Sequence, residues 1–430
     1  MRYKHVRRSI ITLFILAGSC WCSFGQAPDT VAGIPVNYDE AQTGTYILPD
    51  PLQLRNGKKV TNTEEWSQER RPEILEMFKE YQYGHVPENN VKPVFDVFDS
   101  GTLAYDSTVV RKQVRIYFSE NSDEHYMDAL IYLPRSIQGP VPLMLMINFT
   151  ANSTMAQDPG VRRGTIWNRE HEKVPAPKES RFGSFDIQPF IDQGVGIAMV
   201  YYGDIQPDFA GSTHHGVQGL FKEVEEETRP PGEWGTIAAW AWGLSRVMDY
   251  LETDDSIAAD RVALFGISRL GKTVLWAGAA DERFAMVIAS CSGEGGAALS
   301  SRIYGETIAH LTAPSRYPYQ FCPNYQKRAK NPTQFPLDAH LLLALMAPRP
   351  ILLLTGDEDG WSDPKGEFLA AVAAEPVYKL FGKKGLDTDQ MPPAEKALTD
   401  HAIGYHMHDG GHGTRPSDYP VILSFIQKHL

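Results

Sequence analysis

Apolar runs alternating with stretches of helical spacing predict an α/β protein, a mostly parallel sheet covered by helices on both faces. Residues 142–149, 195–202 and 351–355 are apolar along nearly their whole length, as strands buried on two faces must be. Between such runs, segments such as 236–251 and 271–280 repeat their apolar residues at helical spacing. No internal repeat is visible. With 430 residues, 42% of them hydrophobic, the chain has enough apolar material for a large core. One α/β domain with long loop insertions, spanning 26–430, is the economical reading.

The elements follow in order. Arg2, Lys4, Arg7 and Arg8 precede an apolar run over 10–18 and then small residues, the anatomy of a secretory signal peptide. The run falls short of the roughly 20 residues needed to cross a bilayer. Ser23 and Gly25 set the cleavage after Gly25, so 1–25 is expected to be removed and 26–430 to be secreted or periplasmic, without a membrane span. Ala17-Gly18-Ser19-Cys20 loosely resembles a lipoprotein anchor site, which is the competing reading. Cys20 and Cys22 leave with the signal; Cys291 and Cys322 remain, and their pairing is open.

After a Pro-rich opening, 71–82 places Ile74, Leu75, Met77 and Phe78 on one helical side. Residues 109–118 alternate and 127–133 are more apolar, giving two strands, and 142–149 gives a buried one. Residues 150–190 mix Asn, Ser, Gly, Pro and charge without a period and read as a long surface insertion. A strand at 195–202 and a helix at 236–251 lead to a strand at 261–265. Helix 271–280, strand 286–290, helix 339–346, strand 351–355, a short strand at 403–407 and a helix at 418–429 complete the chain. The formal net charge of −12 argues against a nucleic-acid partner, because phosphate contacts need clustered Lys and Arg.

The sharpest local signal is the strand ending at Phe265, followed by Gly266-Ile267-Ser268-Arg269-Leu270-Gly271-Lys272 and a helix. Strand, tight turn with Gly two before Ser, and helix make the context in which a serine Oγ is held at the carboxyl edge of a sheet as a nucleophile. The pattern departs from G-x-S-x-G, since Leu270 stands where the second glycine belongs and Gly271 comes one later. The bland alternative is a serine that caps the helix. A serine nucleophile needs an acid and then a histidine further along. The strand at 351–355 runs into Gly356-Asp357-Glu358-Asp359-Gly360-Trp361-Ser362-Asp363, where the Gly-x-x-Asp spacing selects Asp359. Its alternative is a solvated acidic turn. Near the end, His406-Met407-His408-Asp409-Gly410-Gly411-His412 places His412 on a loop past the last strand as the base. A three-histidine metal site of His406, His408 and His412 competes with this, although no further carboxylate or cysteine is placed to complete it. No metal and no cofactor are expected.

These residues carry a resemblance. The segments from Glu233 to Arg246 and from Gly266 to Lys272 resemble the glucuronoyl esterases, carbohydrate esterase family 15. So do 277–284, 292–299, Leu337-Asp338-Ala339-His340, Ala347-Pro348-Arg349-Pro350 and Trp361-Ser362-Asp363-Pro364. The likeness runs from Arg70-Arg71-Pro72-Glu73 to His412. It implies an α/β-hydrolase fold and a secreted esterase cleaving the bond between 4-O-methyl-glucuronate on xylan and alcohols of lignin. It also implies Ser268 as nucleophile, His412 as base, and Arg269 in the oxyanion hole. Lys272 and Glu306 would bind uronate hydroxyls, and Trp361 would offer a flat face to sugar or aglycone. For Glu306 the alternative is a surface carboxylate, and for Trp361 ordinary loop packing. The partner implied is a glucuronoxylan or lignin–carbohydrate ester, and a monomer is expected.

Two departures stand out. Some members place the acid where this chain has Cys291, and a cysteine cannot serve; Glu294 is three residues on, in a Gly-rich turn. The acid is therefore expected at Asp359. Tyr319 and Gln320 stand where bacterial relatives tend to show His-Trp, which bears on the aglycone. An acetyl xylan esterase on the same fold, and an inactive polysaccharide-binding protein, are the competing functions.

Overall fold

The structure is a computed structural model that describes residues 29–88, 92–119, 125–179, 184–221 and 229–430. The segment 1–25, with Cys20, lies outside the described residues. The core is a nine-stranded sheet. Its strands, in chain order, are β1 (Val94–Ala104), β2 (Val109–Tyr117), β3 (Tyr126–Pro134), β4 (Val141–Asn148), β5 (Gly196–Tyr201), β6 (Ile257–Ile267), β7 (Met286–Ser290), β8 (Ile351–Gly356) and β9 (Ile403–His408). Their spatial order is β9-β8-β7-β6-β4-β5-β3-β2-β1. All pairs from β9 to β5 are parallel, whereas β5–β3, β3–β2 and β2–β1 are antiparallel.

The parallel strands β4, β5, β7, β8 and β9 are buried on both faces almost throughout. One face packs against α1 (Arg71–Phe78), α2 (Thr236–Leu251), α3 (Arg269–Ala280), α4 (Ala339–Ala344) and α5 (Pro364–Leu380), and the other against α6 (Tyr419–His429). Each fully buried Leu, Ile or Phe contributes about 1.5–3 kcal/mol. Among the described residues no helix is long and apolar enough to cross a membrane.

Two stretches differ from the sequence reading. Strand β1 was not expected, because Asp96, Asp99, Ser100 and Gly101 break its apolar pattern. It is an edge strand with Val94, Val97 and Leu103 exposed, and its register against β2 shifts twice, which with its acidic residues discourages pairing with another chain. Residues 150–190 are more than surface. Ala151, Phe185, Ile187 and Phe190 are buried, and Thr165–Trp167 pairs with Lys173–Pro175 as a small hairpin. Singly spaced apolar residues carry no period, so their burial left no trace in the pattern.

The opening segment is a strap across the loops at the carboxyl edge of the sheet. The Asn37 amide donates to the Ile303 carbonyl at 2.7 Å, and the Gly305 N–H donates to the Asn37 carbonyl at 2.9 Å. Glu40 pairs with Lys365 at 2.7 Å and also with Arg302. The Tyr38 ring meets Tyr304 edge-on.

Candidate active site

Ser268 sits between β6 and α3 with φ +60° and ψ −128°, a left-handed conformation that a non-glycine residue holds only under constraint. Its N–H donates to the Ser290 carbonyl at 2.8 Å, and its own carbonyl accepts the Lys272 N–H at 3.1 Å, the first bond of the helix. Its side chain makes no capping bond, so the helix-cap reading fails and Oγ is left for the cleft. Two glycines make the turn fit. A Cβ on Gly266 would lie 2.3 Å from the Leu270 carbonyl oxygen, and one on Gly271 would lie 3.0 Å from the Ser290 oxygen. The second glycine therefore comes one residue late because it is needed where α3 meets β7.

Arg269 is the first residue of α3, so its N–H has no carbonyl partner within the helix. Its guanidinium pairs with Asp208 and lies 4.5 Å from the centre of the Tyr317 ring. Burial works against the charge, but Asp208 and Tyr317 outweigh it and hold the Arg269 pKa above its ordinary value. Asp208 is itself held by the Gln320 amide at 2.6 Å and the Tyr319 hydroxyl at 3.2 Å.

The loop after β8 sorts its carboxylates. Asp359, 6% exposed, accepts a hydrogen bond from His412 Nδ1 at 2.7 Å. Asp357 instead accepts the Gly410 N–H at 2.7 Å, Glu358 is exposed, and Asp363 caps α5 and pairs with Arg302. His412 reaches Asp359 over the turn Gly410-Gly411, which approaches Gly356 so closely that a Cβ there would lie 2.4 Å from the Gly410 oxygen. His406 and His408 turn the other way and lie 3.3 and 3.2 Å from Asp418. The three-histidine arrangement is therefore not formed.

Lys272 is buried and faces Glu306 at 3.8 Å, and Arg316 binds the other oxygen of Glu306 at 2.9 Å. Burial lowers the Lys272 pKa, Glu306 opposes this, and Arg269 adds to it. Glu306 is not a surface carboxylate: it is buried, and its N–H donates to the Trp361 carbonyl at 2.8 Å. The Trp361 ring packs against His310, with ring centres 5.3 Å apart. Ser268, Arg269, Lys272, Glu306, Asp359, Trp361 and His412 all line one cleft of about 310 Å³, together with Arg316, Tyr317 and Gln320.

A polar cleft at the carboxyl edge of the sheet, with a strained serine and a histidine–carboxylate pair, has the parts for acyl transfer. The family model "Glucuronyl esterase, fungi" matches residues 168–382. Carbohydrate esterase MZ0003, from an unknown prokaryotic organism, is 40% identical over 99% of this chain and 98% of its own length. This chain belongs to the glucuronoyl esterases of carbohydrate esterase family 15. The solved glucuronoyl esterase from Solibacter usitatus superposes with a TM-score of 0.85 at 41% identity, over 91% of this chain and 100% of that one. A 4-O-methyl-glucuronoyl methylesterase from Podospora anserina is 27% identical over 78% of this chain and 60% of its own length.

In this glucuronoyl esterase a cysteine stands beside His412. Cys291, with φ +46°, lies against the histidine loop, accepting the Gly413 N–H on its sulfur at 3.4 Å. Glu294 is buried elsewhere, bonded to Ser300 and Tyr325 at 2.7 Å each. Cys291 and Cys322 are both free thiols. Sequence reasoning missed Asp208, Arg316 and Tyr317. Asp208 follows the carboxyl end of β5, where open α/β sheets place ligand contacts, and that position was the available signal. Arg316 and Tyr317 lie on an irregular loop with no such cue.

Proposed function

We propose that this chain is a secreted serine esterase that cleaves the ester between a 4-O-methyl-glucuronate side group of xylan and a lignin alcohol, with residues 26–430 as its catalytic domain. The observation that carries the reading is the His412–Asp359 bond in the same cleft as Ser268 and the Lys272–Glu306 pair. Ser268 Oγ attacks the ester carbonyl while His412 accepts its proton, and Asp359 keeps the Nδ1–H tautomer in place. The tetrahedral oxyanion is met by the Arg269 N–H and guanidinium; one such donor is commonly worth about 3 kcal/mol. The proton then passes to the leaving alcohol, and water releases the acyl group by the reverse sequence. Lys272, Glu306 and Arg316 offer donors and acceptors to the hydroxyls of a sugar acid, and Trp361 offers an apolar face. The membership in the family supports the same substrate class.

Ser268→Ala should abolish hydrolysis of benzyl glucuronate with the fold intact. Lys272→Ala should impair benzyl glucuronate far more than 4-nitrophenyl acetate, because a lysine bonding sugar hydroxyls acts only when a sugar acid fills the cleft. Equal losses on both substrates would favour a general acetyl esterase.

A further inference from the structure

Beside the triad stands a thiol that the esterase reaction does not use. Cys291 Sγ, a carboxylate oxygen of Asp359 and a ring nitrogen of His412 lie within 4.8 Å of one another, the one such grouping of three metal-ligating side chains among the described residues. All three line the cleft. We propose that they form an inhibitory site for a thiophilic divalent cation such as Zn²⁺, so that metal binding reversibly switches the esterase off. This rests on the triad reading of the same cleft.

The donor set is one thiolate, one imidazole and one carboxylate, which suits zinc and its softer neighbours far better than Mg²⁺ or Ca²⁺. Bonds of about 2.3 Å to sulfur and about 2.0–2.2 Å to nitrogen and oxygen put the ligand atoms of a tetrahedral site about 3.3–3.6 Å apart. The His412–Asp359 separation of 2.7 Å must open by less than an ångström, and the sulfur, within 4.8 Å of both partners, must close in by about 1.5 Å at most. The movement falls mainly to His412, which is 43% exposed in its side chain, while Cys291 is buried. The fourth position falls to water or to the Ser362 hydroxyl, which lies 3.2 Å from His412 Nδ1. The Cys291 thiol proton goes to solvent. The Nδ1 proton is replaced by the metal and reappears on Nε2, so one proton is released per ion bound. A histidine protonated on Nε2 and metallated on Nδ1 cannot take the Ser268 proton. Activity and occupancy therefore exclude each other.

A carboxylate at 291 would give the site two hard oxygen donors; the cysteine makes it thiophilic. The test titrates ZnCl₂ into the mature enzyme in a non-coordinating buffer while benzyl glucuronate hydrolysis is followed. Zinc should inhibit, EDTA should restore the rate, and Cys291→Ser should keep the metal-free rate while losing sensitivity by about tenfold or more, as loss of a metal-site contact does elsewhere. Cys291→Ala serves if the serine variant folds poorly. Cd²⁺ added to Ser268→Ala protein should raise a thiolate-to-metal charge-transfer band that is absent once Cys291 is also replaced. Equal zinc sensitivity of wild type and Cys291→Ser, or no such band, overturns the site. Failure of the triad reading shows differently, as activity surviving in Ser268→Ala while the cadmium band persists.

Discussion

Asp359 and Cys291 both stand beside His412, yet only a carboxylate can hold the Nδ1 proton in place and balance the imidazolium that forms during attack. Burial, reinforced by the charge of Asp359, pushes the Cys291 thiol up, so it stays neutral in the active enzyme. Asp359→Asn should therefore lower kcat by about 10³ to 10⁴, as loss of a triad aspartate does elsewhere, with little change in KM. Glu294→Gln, whose carboxyl is bonded to Ser300 and Tyr325 and not to His412, should leave kcat nearly alone. A mild Asp359→Asn beside a severe Glu294→Gln would move the acid to the Glu294 turn. At this scale Ser268, Asp359 and His412 were legible because each has a glycine-marked turn after a buried strand. Arg316 and Tyr317 were not, because long-range contacts bring an unpatterned loop to the cleft.

Elements decide how firmly Arg269, the proposed oxyanion donor, is aimed. Arg269 is fixed at its base by α3, but its guanidinium is held by Asp208 from the loop after β5, with Tyr319 and Gln320 behind it. These two residues, which the sequence reading marked as a departure from the family pattern, serve as supports for a carboxylate. Asp208 is a positioning residue, and Asp208→Asn should lower kcat by about tenfold, less than the 10²-fold or more for deleting an oxyanion donor, with KM little changed. Asp208→Glu should recover part of the loss. If Asp208→Asn lowered only Tm, with kcat per folded molecule intact, the role would be structural. Helices α2 and α3 and strand β7 were legible almost to the residue because their apolar periods are unbroken. Strand β1 was hidden by its exposed, acid-broken pattern, and the burial within 150–190 by the absence of any period.

At the scale of the whole molecule, a buried carboxyl group beneath the cleft ties stability to pH. Glu367 on α5 accepts the Gly293 N–H at 2.7 Å and the Ser292 hydroxyl at 3.0 Å. Burial pushes it from 4.5 up to about 8, against the pull of these two bonds and with the help of Asp359. The unfolded chain releases this proton near its ordinary value, while the folded chain keeps it. The stability that this group contributes is therefore complete below about pH 4.5 and is lost as pH rises through about 8. A glutamine offers the same acceptor oxygen and does not titrate. Glu367→Gln should match wild type in Tm near pH 5 and exceed it increasingly toward pH 8, in a series of thermal melts. A Tm difference independent of pH would remove Glu367 from the account.

The strap over the carboxyl-edge loops fixes when this catalyst can come into being. Glu40 must find Lys365, 325 residues away, and Asn37 must find Ile303, 266 residues away. During synthesis the strap emerges early and waits, its partners unmade, until almost the whole chain has followed. Closing such distant contacts is slow and costs loop entropy that only the finished sheet repays. The walls that carry Glu306 and Trp361 thus lack their strap until residues as late as Lys365 are in place, and a chain cut short before them holds no finished cleft.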